Sequence, residues 1–312
     1  MSQRPARAAW LVAALVLGVG LALRVARAQE VELTGALRTI YARGTIRLGV
    51  REAAIPFSFR NKAGQPVGFS VDICRRIAAD AAAAISMPLL DDDAPAWQHG
   101  LRIVFVTVAP DARLQKLVSG DIDLECGSTT DNAERQKTIA FSPTFFLAGT
   151  KLLAPAESGV RSWRDLKSVS VSAGTTNAQV IERLVTGTTP PVRVVKTSGL
   201  AEAYDLMAAA SVDAVASDDI LLAGLMALRG DTSRFHLVGE YLSFEPYAIG
   251  LRKDDPQFAT LVRASFERMA SEGFLATKYR QWFTEPLPDG ENLALPMSAQ
   301  LAEMYRALGQ PD

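Results

Sequence analysis

Histidine and cysteine are nearly absent from this 312-residue chain, with two of each, and that scarcity narrows its chemistry. Cys74, Cys126, His99 and His236 are widely separated, so no run has zinc-ligand spacing and no metal site is expected. A Ser–His or Cys–His nucleophile would have to recruit one of two histidines in loop or strand-edge contexts, where a surface role is the simpler reading. No G-x-S-x-G, P-loop or dinucleotide fingerprint occurs past Gln29, so no cofactor is expected. Excess charge is lacking too. Lys and Arg number 33 against 34 Asp and Glu, with the basic residues scattered, which argues against nucleic acid or an anionic membrane as partner. Long apolar runs are missing except for one, Ala8 to Leu23. Arg4 and Arg7 precede it and Ala26-Arg27-Ala28 follows. It is shorter than the ~18–20 residues of a spanning helix and ends in a small-x-small site. Residues 1–28 are therefore expected to be a signal peptide cleaved after Ala28, leaving a soluble periplasmic protein, with no Cys nearby to take a lipid.

What is present is a globular composition, 48% hydrophobic and 21% charged. The roughly 280 residues after the leader suit two lobes of ordinary domain size. β-rich runs alternate with helical patterns. Thr45–Val50, Arg102–Thr107, 122–127, 169–172, 192–195 and 214–217 read as strands. Helices are expected at 70–84, with Ser70 as cap, at 111–119, closed by Gly120, and from about Thr176, Leu200 and Asp219. Such alternation implies an α/β fold with mainly parallel sheets covered on both faces. Cys74 falls on the inner face of one helix and Cys126 at the end of a strand, which favours two separate buried residues over a bridge.

Two stretches look like crossings between lobes, 145–150 and 243–247. The segment between them has a complete βα set of its own, and the segment after them is too short for a third domain. The expected organisation is a discontinuous first lobe, residues 36–148 and 244–285, a second lobe, 149–243, and a C-terminal tail, 286–312. The tail is amphipathic around Leu301, Met304, Tyr305 and Leu308.

Ligands of open α/β sheets bind beyond the C-terminal ends of the strands. Three segments place polar residues there: 125–130 with Arg135 beyond, 172–176, and Ser217-Asp218-Asp219. Together they suit a zwitterion. A guanidinium with hydroxyls and N–H groups at a helix start holds a carboxylate, a role that Arg135, Thr130 and Thr176 fit, with Thr175 in the same segment a further ligand-binding candidate. An ammonium needs acceptors and a counter-charge, which Asp218 and the Ser128 region supply. Each residue also has a plainer role. Ser, Thr and Asp after a strand are common helix caps, and Arg135 in Glu134-Arg135-Gln136-Lys137 could be a solvated helix residue. Two consecutive acids at 218–219 exceed what a cap requires.

These segments resemble the family 3 solute-binding proteins, most closely their glutamate/aspartate-binding branch. The matching stretches are Gly49-Val50-Arg51-Glu52 with Pro56-Phe57-Ser58-Phe59, and Glu125-Cys126-Gly127-Ser128-Thr129-Thr130 with Glu134-Arg135-Gln136-Lys137. Further along come Gly174-Thr175-Thr176, residues 218–224, residues 251–258 and Trp282-Phe283. The resemblance covers roughly residues 44–287. It implies a type II periplasmic binding fold, two α/β lobes joined by two hinge strands about a ligand cleft. It also implies an amino-acid ligand, glutamate or aspartate by the branch it most resembles, delivery to the permease of an ABC importer, and a monomer. By position it gives Arg135, Thr130 and Thr176 to the α-carboxylate and Ser128 and Asp218 to the α-ammonium. Arg51 and Arg113 fall near the ligand's side chain, where Arg51 would pair with a second carboxylate. The resemblance further implies closure, with ligand meeting Arg135 and Thr130 before Thr176 and Asp218 complete the cage. Two positions depart from the acidic-ligand pattern: Leu200 stands where that branch has a His, and Pro110 where it has a Ser.

Two other readings compete. One is a solute-binding fold recruited for catalysis, of the cyclohexadienyl dehydratase type, with Glu125 or Asp219 as the general acid. The other is a sensor subunit with the same binding chemistry. The complete amino-acid anchor argues against the first.

Overall fold

Runs rich in β-branched residues alternate with Ala- and Leu-rich segments throughout the residues that the computed structural model describes, 32–288 and 292–311. The expected leader and its cleavage site lie outside the described residues. Helix α1 (Gly35–Arg43) leads into β1 (Thr45–Val50). A small meander follows, β2 (Ala53–Ala54), β3 (Ser58–Arg60) and β4 (Pro66–Val67). Then come α2 (Phe69–Ala84), β5 (Arg102–Thr107), α3 (Arg113–Ser119), β6 (Leu124–Glu125) and β7 (Ile139–Phe141). The chain crosses on β8 (Phe146–Ala148) to a second set: β9 (Thr150–Pro155), β10 (Ser168–Ser172), α4 (Thr176–Val185) and β11 (Arg193–Thr197). That set is completed by α5 (Leu200–Ala208), β12 (Ala214–Asp218), α6 (Asp219–Arg229) and β13 (Phe235–Val238). It returns on β14 (Glu245–Tyr247) to β15 (Gly250–Arg252), α7 (Pro256–Ser271) and α8 (Phe274–Tyr279), and ends in α9 (Ala299–Ala307).

Each lobe is built on a five-stranded mixed sheet, ordered β5-β1-β6-β15-β7 in the first and β11-β10-β12-β9-β13 in the second. In both, three parallel strands are followed by one antiparallel strand that joins them to the edge. β10 shows how completely the centre is covered. Its Ser-Val-Ser-Val-Ser alternation would suit a strand wet on one face, yet all five residues are buried. The Ser170 hydroxyl is satisfied by donating to the Ala203 carbonyl of α5 at 2.6 Å.

The two crossings pair with each other, Glu245 opposite Ala148 and Tyr247 opposite Phe146. Aromatic rings pack around the pair. Phe57 lies 4.8 Å from Phe146 and 5.1 Å from Tyr247, both edge-on, the favoured arrangement of ring quadrupoles. In the tail, Leu301 and Tyr305 of α9 are buried, and the Tyr305 hydroxyl donates to the Phe145 carbonyl at 2.8 Å. No helix among the described residues is long and apolar enough to cross a membrane.

Several expectations are corrected. Cys74 and Cys126 form a disulfide. Both are buried, but α2 crosses the end of β6 so that their Cα atoms stand 6.1 Å apart, within bridging range. Ser70 is not a cap. The helix starts at Phe69 after Gly68, and the Ser70 hydroxyl donates to the Gly127 carbonyl at 2.7 Å. The helix expected from 111 starts at Arg113, because turns from the Ala109 carbonyl occupy the preceding residues. The strand expected over 122–127 pairs as a strand only at Leu124–Glu125.

Candidate functional site

A cavity of about 310 Å³ opens between the strand ends of the two sheets. Arg51, Arg113, Ser128 and Thr130 line it from the first lobe, and Thr175, Thr176, Asn177 and Asp218 from the second. Pro110, Leu200 and Leu221 add apolar wall. Arg51 follows directly on β1, and Arg113 is the first residue of α3. Ser128 and Thr130 leave the end of β6. Thr175 caps α4, its hydroxyl oxygen accepting from the Ala178 N–H at 3.1 Å, so its plain role holds. Asp218 closes β12 ahead of α6 and makes no side-chain cap bond.

The first lobe gathers three guanidiniums, those of Arg113 and Arg135 buried and that of Arg51 half-buried. Arg113 donates through Nε to Thr129 Oγ1 at 2.8 Å and through Nη1 to the Pro110 carbonyl. Arg135 donates through Nη1 to the Thr130 carbonyl at 2.8 Å. It stands behind Thr130 and is not among the cavity's lining residues. Arg51 receives order from its backbone, whose N–H donates to Ser58 Oγ at 2.9 Å. Among the described residues no carboxylate lies within ion-pair distance of any of the three. Burial first, and then the charge of Arg113, lower the pKa of Arg51 and of Arg135 to about 10. Burial likewise lowers that of Arg113, with Glu125 the largest opposing influence. All three stay cationic at neutral pH, in surroundings where an added anion is strongly favoured. Beneath them Glu125 is fully buried, and neither of its oxygens has a hydrogen-bond partner among the described residues.

The opposite side is acidic. Asp218 accepts from Asn177 Nδ2 at 2.8 Å and from the Tyr247 hydroxyl at 2.5 Å. Burial, followed by the charge of Glu245, raises its pKa to about 7, although both hydrogen bonds oppose the rise. Glu245, on the second crossing, is buried behind the two threonines. Its Oε2 accepts from Thr130 Oγ1 at 2.6 Å and from Thr176 Oγ1 at 2.7 Å, and Ser243 Oγ donates to its Oε1. This alters the expected chemistry of Thr130 and Thr176. A carboxylate only accepts, so both hydroxyl protons point to Glu245 and only lone pairs are left for a ligand.

The structure thus brings Arg51, Arg113, Ser128, Thr130, Thr175, Thr176 and Asp218 to one cavity and sets Arg135 one layer back. Sequence reasoning missed Asn177, Tyr247, Glu245 and Thr129. Asn177 had a signal, as the residue after Thr176 at a helix start. Glu245 and Tyr247 were visible only as parts of a crossing. Among the described residues no group of three or more His, Cys, Asp or Glu side chains could hold a metal ion. The arrangement sorts charge, with cations on one wall and acceptors on the other, and suits a small ligand that carries both signs.

Comparison with known proteins agrees. Residues 46–285 match the model of the bacterial extracellular solute-binding proteins, family 3. The L-glutamate/L-aspartate-binding protein of Pseudomonas aeruginosa is 31% identical over 277 residues, 88% of each chain. The glutamate/aspartate import solute-binding protein of Escherichia coli K12 is 30% identical over 308 residues, 98% of this chain and 96% of that one. Among solved structures, an ancestral amino-acid-binding protein, a precursor of cyclohexadienyl dehydratase, superposes with a TM-score of 0.66 at 25% identity. That match covers 80% of this chain and 99% of the other.

Proposed function

The chain belongs to the bacterial extracellular solute-binding proteins of family 3, and from that premise we propose that it captures an acidic amino acid, glutamate or aspartate, outside the cytoplasm. In this reading it delivers the ligand to the permease of an ABC importer, working as an exported monomer without catalysis. The observation that carries the acidic ligand is Arg51, half-buried on the cavity wall with no carboxylate partner among the described residues. One ligand carboxylate would face Arg51. The α-carboxylate would take N–H donors, those of Arg113 and of the backbone at the start of α4, since the threonine hydroxyls have none to give, while Arg135 would act from behind Thr130 through its charge. The α-ammonium would meet Asp218, Ser128 and the lone pairs of Thr130. Leu200 and Pro110 would contact only the ligand's methylenes, leaving its second carboxylate to Arg51.

The test is a calorimetric titration of the mature protein, unfolded and refolded to strip bound ligand, with L-glutamate and L-glutamine. One-to-one binding of glutamate is expected. Arg51→Ala should weaken glutamate about 10- to 100-fold, the worth of one charged hydrogen bond or ion pair, and glutamine far less. Equal losses for both ligands would remove Arg51 from the side-chain end. Absence of heat from every amino acid would return attention to Glu125 and Asp219 as acids of an enzyme.

A further inference from the structure

Glu245 has no place in the amino-acid anchor described so far, yet its carboxylate bonds a side chain of each lobe at the cavity. It is 2% exposed and does not line the cavity. Thr130 reaches it from the end of β6 in the first lobe and Thr176 from the start of α4 in the second. The two hydroxyl oxygens stand 3.5 Å apart with Glu245 Oε2 between them. Behind the carboxylate, Ser243 Oγ donates to Oε1 and is bonded in turn to Thr150 Oγ1 at 2.7 Å, so the group is anchored to both crossing strands.

We propose that Glu245 is a clasp between the lobes: its carboxylate holds the hydroxyls of Thr130 and Thr176 together and so positions both for the ligand, without contacting the ligand itself. The proposal rests on the reading of the cavity as an amino-acid site, and it adds a positioning residue to that site. Two consequences follow from the chemistry. First, bonds between hydroxyls and a buried carboxylate are charge-assisted, stronger than neutral ones, and they involve no ligand atom. The clasp therefore favours the closed arrangement for every ligand alike. Second, because it takes both hydroxyl protons, it fixes Thr130 and Thr176 as acceptors on the side where Asp218 also accepts. It thereby helps decide which end of a zwitterion lies there.

The clasp is tested with Glu245→Ala and the near-isosteric Glu245→Gln, which guards against a folding defect. Each is compared with the wild type in L-glutamate titration and, stripped of ligand, by small-angle scattering. Glu245→Ala is expected to raise the Kd about 10- to 100-fold and Glu245→Gln by less, because the amide oxygen still accepts without charge. Both stripped variants should show a larger radius of gyration than the stripped wild type. Thr176→Val should cost less affinity in the Glu245→Ala background than in the wild type, since its bond to the carboxylate is already gone. Wild-type Kd and radius in both variants, with only thermal stability changed, would overturn the clasp and leave Glu245 a structural residue. If the wild type bound no amino acid, the functional reading would fail, and the scattering comparison would still decide the clasp.

Discussion

Asp218 places a carboxylate where burial and the charge of Glu245 both favour the proton, raising its pKa to about 7. An acid whose pKa rises on folding favours the folded state at low pH. That contribution is fully present below the unfolded Asp value of about 4 and is lost as pH climbs through 7. A ligand ammonium reverses the preference, because it binds the ionised form. Between pH 6 and pH 8 the ionised fraction of such a group rises about tenfold, so the Kd for L-glutamate should fall about tenfold over that interval. Calorimetry at the two pH values measures this, and in Asp218→Asn the difference should vanish as overall affinity drops. A Kd independent of pH in the wild type would show that Asp218 is not the ammonium's counter-charge. At this scale the sequence was legible where chemistry is local. Asp218 stood out beside Asp219, and Arg51 stood out at a strand end. Glu245 did not, because the two threonines it holds are 115 and 69 residues away and a single Glu in a crossing strand has no local signature.

Among the elements, α2 and β6 are joined more firmly than their patterns suggested. The disulfide between Cys74 and Cys126 spans a sequence separation of 52 residues. Closing a loop of that length in the unfolded chain is worth about 4 kcal/mol in the chain-entropy model. It also fixes β6 immediately before Ser128 and Thr130. Reduction, or the double substitution Cys74→Ala and Cys126→Ala, should lower the denaturation midpoint in line with a loss of about 2–4 kcal/mol. An unchanged midpoint with and without reductant would mean that the bridge adds nothing to stability. The parallel strands β1, β5, β10, β11 and β12 were legible as runs rich in β-branched and apolar residues, though the alternation in β10 hid that both of its faces are buried. Helix starts were less so. Ser70 looks like a cap by residue type, and its tertiary bond to the Gly127 carbonyl cannot be seen from its neighbours in sequence. The same holds for the disulfide: each cysteine's face could be read, but not that the two faces meet.

For the whole molecule, the decisive contacts are those between lobes, which no periodicity encodes. Two glycines sit at that seam. A Cβ on Gly174, whose φ is +70°, would stand 2.5 Å from the Asp111 Cα of the first lobe. A Cβ on Gly224, inside α6, would stand 2.5 Å from the Ile55 carbonyl oxygen. Both obstacles are backbone and cannot swing aside, so the lobes approach this closely only because side chains are missing there. Gly224 gives the cleaner test. Substitution at Gly174 would strain a left-handed backbone, whereas Gly224 is helical, where Ala is favoured by about 1 kcal/mol. Gly224→Ala should therefore keep or raise thermal stability while holding the lobes apart. The expected result is a Kd for L-glutamate raised about tenfold or more and a smaller drop in radius of gyration on adding ligand. A purely structural glycine would give the reverse pattern, lower stability with affinity intact. If affinity and the change in radius both matched the wild type, hinge closure onto this seam would not be how the protein holds its ligand.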